Sequence, residues 1–123
     1  MNTEKPIATT PEPPYYAVIF TSIRTGTDEA GYQAMAEAMY ELAVQQAGYL
    51  GIESAHDPGG GAGITVSYWS SPEAIAAWKA NLDHRMAQRT GRERWYVEYT
   101  ARVCRVERSY SFARRDAVAA AEG

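Results

Sequence analysis

The sequence predicts one α+β domain, a four-stranded antiparallel sheet with two helices on one face, in the order β-α-β-β-α-β. Three observations carry this prediction. "YYAVIFTSIR" (15–24) is β-branched and aromatic on both alternating faces, which marks a strand covered on both sides. Two segments, after Asp28 and after Ser71, repeat apolar residues at three- and four-residue spacing behind a capping residue. The remaining apolar runs are strand-like and bounded by glycine-rich or charged turns.

Residues 1–14 hold four of the six prolines and few apolar side chains, so they are expected to form a flexible or extended arm that adds little to the core. The first strand follows, and "RTGTD" turns the chain into a helix capped by Asp28 and running to about Ala47. Tyr32, Met35, Met39 and Leu42 form its apolar stripe, and Gly48 stops it. "YLGIESA" is a short second strand, and "HDPGGGAG" is a loop. "ITVSYW" is the third strand, with Ile64, Val66 and Tyr68 on one face and Thr65, Ser67 and Trp69 on the other. Ser71 and Pro72 suit the cap and first position of a second helix extending toward Arg89, which "TGRER" breaks. "WYVEYTARVCRVERSYSF" reads as one long strand, bent or bulged, and residues 113–123 are a tail. The domain proper is thus 15–112, a ferredoxin-like split β-α-β unit. Helices on one face leave the other to be covered, and a second copy of the chain is the simplest cover.

Composition narrows the class of function. At 123 residues the chain can bury a core of its own, and its 46% apolar and 22% charged residues are ordinary for a soluble globular protein. A formal net charge of −3 offers no attraction for nucleic acid, and Glu93 and Asp83 interrupt the arginines between 85 and 94. No apolar run reaches the ~18 residues a membrane span needs. "MNTEKPIATTPEPP" has no export-signal pattern, and the single cysteine, Cys104, fits a reducing compartment; the expected location is cytoplasmic. Two histidines and one cysteine give no cluster with metal-ligand spacing, so no metal is expected. His56, in a loop beside Asp57, is expected in solvent.

"YYAVIFTSIRT", "GYLGIESA", "GITVSYWSSPEAIAAWK", the helix segment with His84, Ala87 and Gln88, and the long last strand resemble the antibiotic biosynthesis monooxygenase (ABM) family in the right order over residues 15–112. The strand-end Trp69 followed by a proline-capped helix carrying Trp78 is the most specific piece. The resemblance implies a homodimer in which two sheets close a dimeric α+β barrel, with a pocket between sheet and helices in each subunit. It also implies several activities, since the fold hosts cofactor-free oxygenases of aromatic polyketides, quinol oxygenases and haem-degrading enzymes.

On the second helix Ile75, Trp78, Leu82 and Met86 form the core stripe, while His84 lies about 120° from Trp78 among Ala77, Ala80, Asn81, Ala87 and Gln88. That face is small and uncharged. His84 is either a hydrogen-bonded packing group or a general base with a pKa near neutrality. Trp69, Trp78 and Trp95 are core anchors or pocket walls, and Tyr68, Tyr96 and Tyr99 wall residues that also offer hydroxyls. Phe20 and Ser22 share one face of the first strand. Arg24, Glu53 and Arg102 lie on strands where they can pair.

The resulting expectation is a cofactor-independent monooxygenase acting with dioxygen on a small quinol, phenol or anthrone-like substrate. His84 is the base, and Phe20, Ser22, Tyr68, Trp69, Trp78, Asn81, Trp95 and Tyr99 form the pocket. The alternative is a non-catalytic dimeric small-molecule binding or stress-response protein. Haem binding is a further reading. The similar haem proteins place an axial histidine about ten residues after the second tryptophan and an asparagine on the first strand, where this chain has Gln88 and Thr21–Ser22.

Overall fold

The computed structural model describes residues 6–84 and 91–114, and for 82–84 and 91 the backbone alone. Strand β1 spans Tyr15–Arg24, helix α1 Glu29–Ala43, strand β2 Tyr49–His56, strand β3 Ala62–Trp69, helix α2 Pro72–His84 and strand β4 Tyr96–Val106, with one π-helical turn, Gly91–Trp95, leading into β4. The strands lie in the order β2-β3-β1-β4, and every neighbouring pair is antiparallel. This is the split β-α-β sheet the element order predicts.

Register assigns the two faces. Tyr16, Val18, Phe20, Ser22 and Arg24 point to one side of β1, and their partners Trp69, Ser67, Thr65 and Gly63 on β3 share it. Both helices pack there: Trp78 of α2 stacks on Trp69, and Tyr32 of α1 meets Tyr96 of β4 edge-on. The core sits in this layer, around the fully buried Trp69, with Ile75 and Trp95. Truncating an indole packed this way typically costs about 3–5 kcal/mol.

Local signals start each helix. Asp28 adopts a left-handed conformation (φ 56°) that its short polar side chain tolerates, and its Oδ1 accepts from the Gly31 N–H at 3.1 Å. A Cβ at Gly31 would overlap that carboxylate, so glycine there is part of the cap. Ser71 Oγ accepts from the Ala74 N–H at 3.1 Å at the start of α2. Helix α1 stops at Ala43 rather than near Ala47. After it, Gln45 and Gln46 donate from their backbones to carbonyls three residues back, and their side-chain amides take the carbonyls of Glu41 and Leu42. The last turn therefore tightens before Gly48 reverses the chain at φ 87°.

Strand β4 also ends early, at Val106 instead of Phe112. Val106 pairs with Tyr15, the first residue of β1, so the ladder runs out of partner there. Beyond it Tyr110 and Phe112 are strongly exposed. A bulge opposite Ile23 and Arg24 shifts the register of β4. Alternation alone would group Val97, Ala101 and Val103 on one sheet face, the one expected to need a cover. Instead Ala101 and Val103 oppose Phe20 and Val18 on the helix face, and Val97 falls in the bulge.

The other sheet face carries part of the N-terminal segment. The Ala8 N–H donates to Glu53 Oε2 at 2.9 Å, and Thr10 Oγ1 donates to the Tyr15 hydroxyl at 2.9 Å. Gly51 lies beneath this crossing, and a Cβ there would stand 3.0 Å from that of Ala8. Tyr15 and Ala17 are buried at this end, whereas Ile23 and Ile64, at the other end of the same face, are exposed. Among the described residues no helix is long and apolar enough to cross a membrane.

Candidate functional site

Two aromatic groups stand on the helix-covered face. The first is built on the end of β3. Trp69, opposite Tyr16, stacks on Trp78 at 5.9 Å between ring centres and meets Tyr49 edge-on at 5.8 Å. Its indole N–H donates to Ser67 Oγ at 2.9 Å. Since Trp69 has no exposed surface, it backs Trp78, which is only half-buried. Asn81 follows one turn later, also half-buried.

The second group lies four residues along β1, about 13 Å away at strand rise. Phe20 stacks on Tyr99 at 5.0 Å and meets Tyr96 at 5.5 Å, while Tyr96 and Tyr99 meet at 5.5 Å. Tyr32 of α1 adds an edge contact to Tyr96 and another to Trp95, both at 6.1 Å. The Arg24 guanidinium lies 4.2 Å above the Tyr32 ring and forms an ion pair with Glu29 at 3.2 Å. Arg92 Nη1 donates to the Tyr99 hydroxyl at 3.2 Å. Between the two groups the sheet presents small side chains: Val18, Thr65, Ser67 and Ala101. Ser22 is buried between Tyr99 and Gly63.

Burial is the main cause that raises the Tyr96 hydroxyl well above its ordinary value, followed by charge and hydrogen-bond coupling to Tyr32; Arg24 pulls the other way. Tyr96 therefore stays protonated across the neutral range and presents a neutral hydroxyl.

Of the residues expected to form the pocket, Phe20, Ser22 and Tyr99 meet at one end, and Trp69, Trp78 and Asn81 at the other. Trp95 is buried as a seal between sheet and α1: its indole N–H reaches Asp28 Oδ2 at 3.4 Å, and its carbonyl accepts from the Thr25 N–H at 2.8 Å. Tyr68 does not join either group. It opposes Ala17 on the other sheet face, packs edge-on against Tyr15 and donates to Glu53 Oε1. Burial first, and then that hydrogen bond, raise its hydroxyl as well. His84 closes α2, but its side chain lies outside the described residues, as do Ala87 and Gln88. His56 is exposed at the end of β2. Among the described residues no three His, Cys, Asp or Glu side chains converge on a possible cation position.

Arg24 and Tyr32 were not among the expected pocket residues, and Tyr96 was expected only as an alternative wall residue. Arg24 shares strand parity with Phe20 and Ser22, a signal present in the sequence. Tyr96 reaches this face only because of the bulge.

Comparison with known proteins agrees with this architecture. The uncharacterized protein YqjZ of Bacillus subtilis (strain 168) is 47% identical over 106 residues, covering 86% of this chain and 91% of YqjZ. The chain belongs to the YqjZ family. Among solved structures, PA3566 of Pseudomonas aeruginosa superposes with a TM-score of 0.61 at 14% identity, covering 81% of this chain and 99% of that one. A Nitrosomonas europaea protein named "Putative antibiotic biosynthesis monooxygenase" gives 0.62 at 11% identity, covering 80% and 94%. A Chloroflexus aurantiacus protein of the same name gives 0.53 at 21% identity, covering 77% and 97%. The fold of this YqjZ relative is thus the ABM-type α+β fold that the sequence resemblance implies. No family profile matches the chain.

Proposed function

We propose that the chain is a cofactor-independent monooxygenase of the ABM type, acting as a homodimer on a small quinol, phenol or anthrone-like molecule. The observation that carries this reading is the half-buried aromatic wall at each end of a floor of small side chains, Phe20 with Tyr99 at one end and Trp78 at the other. A flat ring fits such a wall, and little else in the layer demands that arrangement. Once deprotonated, an electron-rich phenol can itself pass an electron to dioxygen, so the protein needs to supply a base, an oriented cavity and exclusion of water. His84 is the base in this proposal, Asn81 or Tyr99 holds the substrate oxygen, and Trp69 fixes Trp78. The exposed Ile23 and Ile64 on the sheet face away from the helices support a second copy as the cover. An interface of ~1,600 Å² or more would be in line with a specific dimer.

The test is dioxygen uptake by purified, chelator-treated protein offered a panel of quinols and anthrones, with light scattering on the same sample. Uptake by a dimer supports the proposal, whereas uptake by none of the panel removes it. A second reading, a non-catalytic binding protein, draws on the commitment of Trp69 and Trp95 to packing. It predicts thermal stabilisation by the same aromatics without uptake. The haem reading has little support from the described residues, since Thr21 and Ser22 stand on the first strand where the similar haem proteins carry an asparagine. Gln88, at the axial position, lies outside them. A Soret band on haem titration would revive it.

A further inference from the structure

The bulge in β4 puts Tyr96 on the same face as Tyr99, so that two tyrosines, instead of one, flank Phe20. It does so directly opposite Arg24, whose side chain is only 13% exposed. A guanidinium so nearly buried, over the Tyr32 ring and opposite Tyr96, is a costly arrangement, and packing alone would be served by an apolar residue. Both contacts to Glu29 come from Nη1. Arginine carries five N–H donors, so the rest of the fork can serve another acceptor.

The neighbouring hydroxyls are arranged in the same sense. Tyr32 and Tyr96 meet edge-on, and two phenols carry two protons, so even one shared between them leaves the other to donate. Tyr99 already accepts from Arg92, which frees its own proton to point elsewhere. The corner therefore offers donors and a positive charge beside a flat apolar wall.

We propose that this corner binds the anionic oxygen of an aromatic ligand, an aryl carboxylate or a phenolate, with Arg24 as counter-charge, the Tyr32–Tyr96 pair as donor and the ligand ring along Phe20 and Tyr99. The inference deepens the oxygenase reading and rests on it for the location of the pocket. Because burial keeps Tyr96 protonated, a bound anion meets a donor there and not a second negative charge.

Calorimetric titration with 2-naphthoate, 4-nitrophenolate and the neutral 2-naphthamide at about pH 8, where both acids are ionised, tests it. At least one anion is expected to bind roughly tenfold or more tighter than the amide, as charge-assisted hydrogen bonds require. Preference for naphthoate alone identifies a carboxylate ligand, and preference for nitrophenolate alone a phenolate. Tyr96→Phe, which keeps every ring contact, should weaken the preferred anion about three- to tenfold and leave the amide unchanged. Arg24→Gln should abolish the preference, and Arg24→Lys should restore part of it. If the Arg24 variants do not fold, Tyr96→Phe decides alone. Equal binding of amide and anions, or an unchanged preference in Tyr96→Phe, overturns the proposal. Dioxygen uptake on the same preparations separates the two readings. Anion-selective binding without uptake removes the oxygenase and keeps this site, whereas uptake without anion selectivity does the reverse.

Discussion

Replacing Gly48 by alanine tests how α2, the carrier of Trp78, Asn81 and His84, is seated on the sheet. Gly48 holds φ 87°, a region that costs an L-residue about 1–2 kcal/mol. An added Cβ would also stand 2.7 Å from the Ala74 Cβ and 2.7 Å from Ser70 Oγ. The Ser70 hydroxyl can rotate away, but the Ala74 Cβ is fixed to the first turn of α2. Helix and turn must therefore part, and overpacking of this kind costs about 1–3 kcal/mol. The 2.8 Å bond from the Ser70 N–H to the Gly48 carbonyl lies in the same contact and will lengthen. The total is about 2–5 kcal/mol, or a fall in Tm of roughly 8–20 °C for a chain of this size. Urea unfolding of Gly48→Ala, Ala74→Gly and the double variant measures it. Removing the Ala74 Cβ relieves one contact, so the double variant should lose less than the sum of the singles. Strict additivity, or a Gly48→Ala loss below about 0.5 kcal/mol, would refute the close approach.

His84→Gln should fold normally and lose ~100- to 10,000-fold in turnover of any active substrate; full activity in a destabilised variant would return the histidine to packing. Trp78→Phe should weaken ligand binding while Trp69→Phe mainly lowers Tm, because only Trp78 has surface left to offer; equal binding losses would show that Trp69 reaches the ligand. Tyr68 and Tyr96 both have folded pKa values raised above the ordinary 10.0. Above that pH the unfolded chain releases protons the folded chain retains, so stability should fall as pH rises beyond about 10. The urea midpoint between mildly and strongly alkaline buffers reports this, and Tyr68→Phe or Tyr96→Phe should flatten the slope. Deleting residues 1–12 removes the Ala8–Glu53 and Thr10–Tyr15 hydrogen bonds and should cost about 1–2 kcal/mol in urea unfolding; an unchanged midpoint would show the crossing to be without energetic consequence.

The sequence by itself determined the features that depend on near neighbours. β1 runs over the residues its alternation marks, 15–24, and Asp28 and Ser71 cap the two helices, because a cap needs only the next three residues. Alternation also separated Tyr68 from Trp69. It could not say which face the helices would cover, and so Tyr68 was grouped with a pocket it does not share.

Tertiary structure alone decided what depends on distant partners. β4 ends where β1 begins, since a strand lasts only as long as its ladder. The division of labour between a fully buried Trp69 and a half-buried Trp78 follows from Tyr49 and α2 closing over one indole but not the other. Ala8 meets Glu53 across 45 residues, a contact no local pattern encodes. The corner of Arg24, Tyr32 and Tyr96 needs a bulge in a strand more than 70 residues from Arg24. A single extra residue there reverses the direction of a side chain, and periodicity has no means of locating that residue.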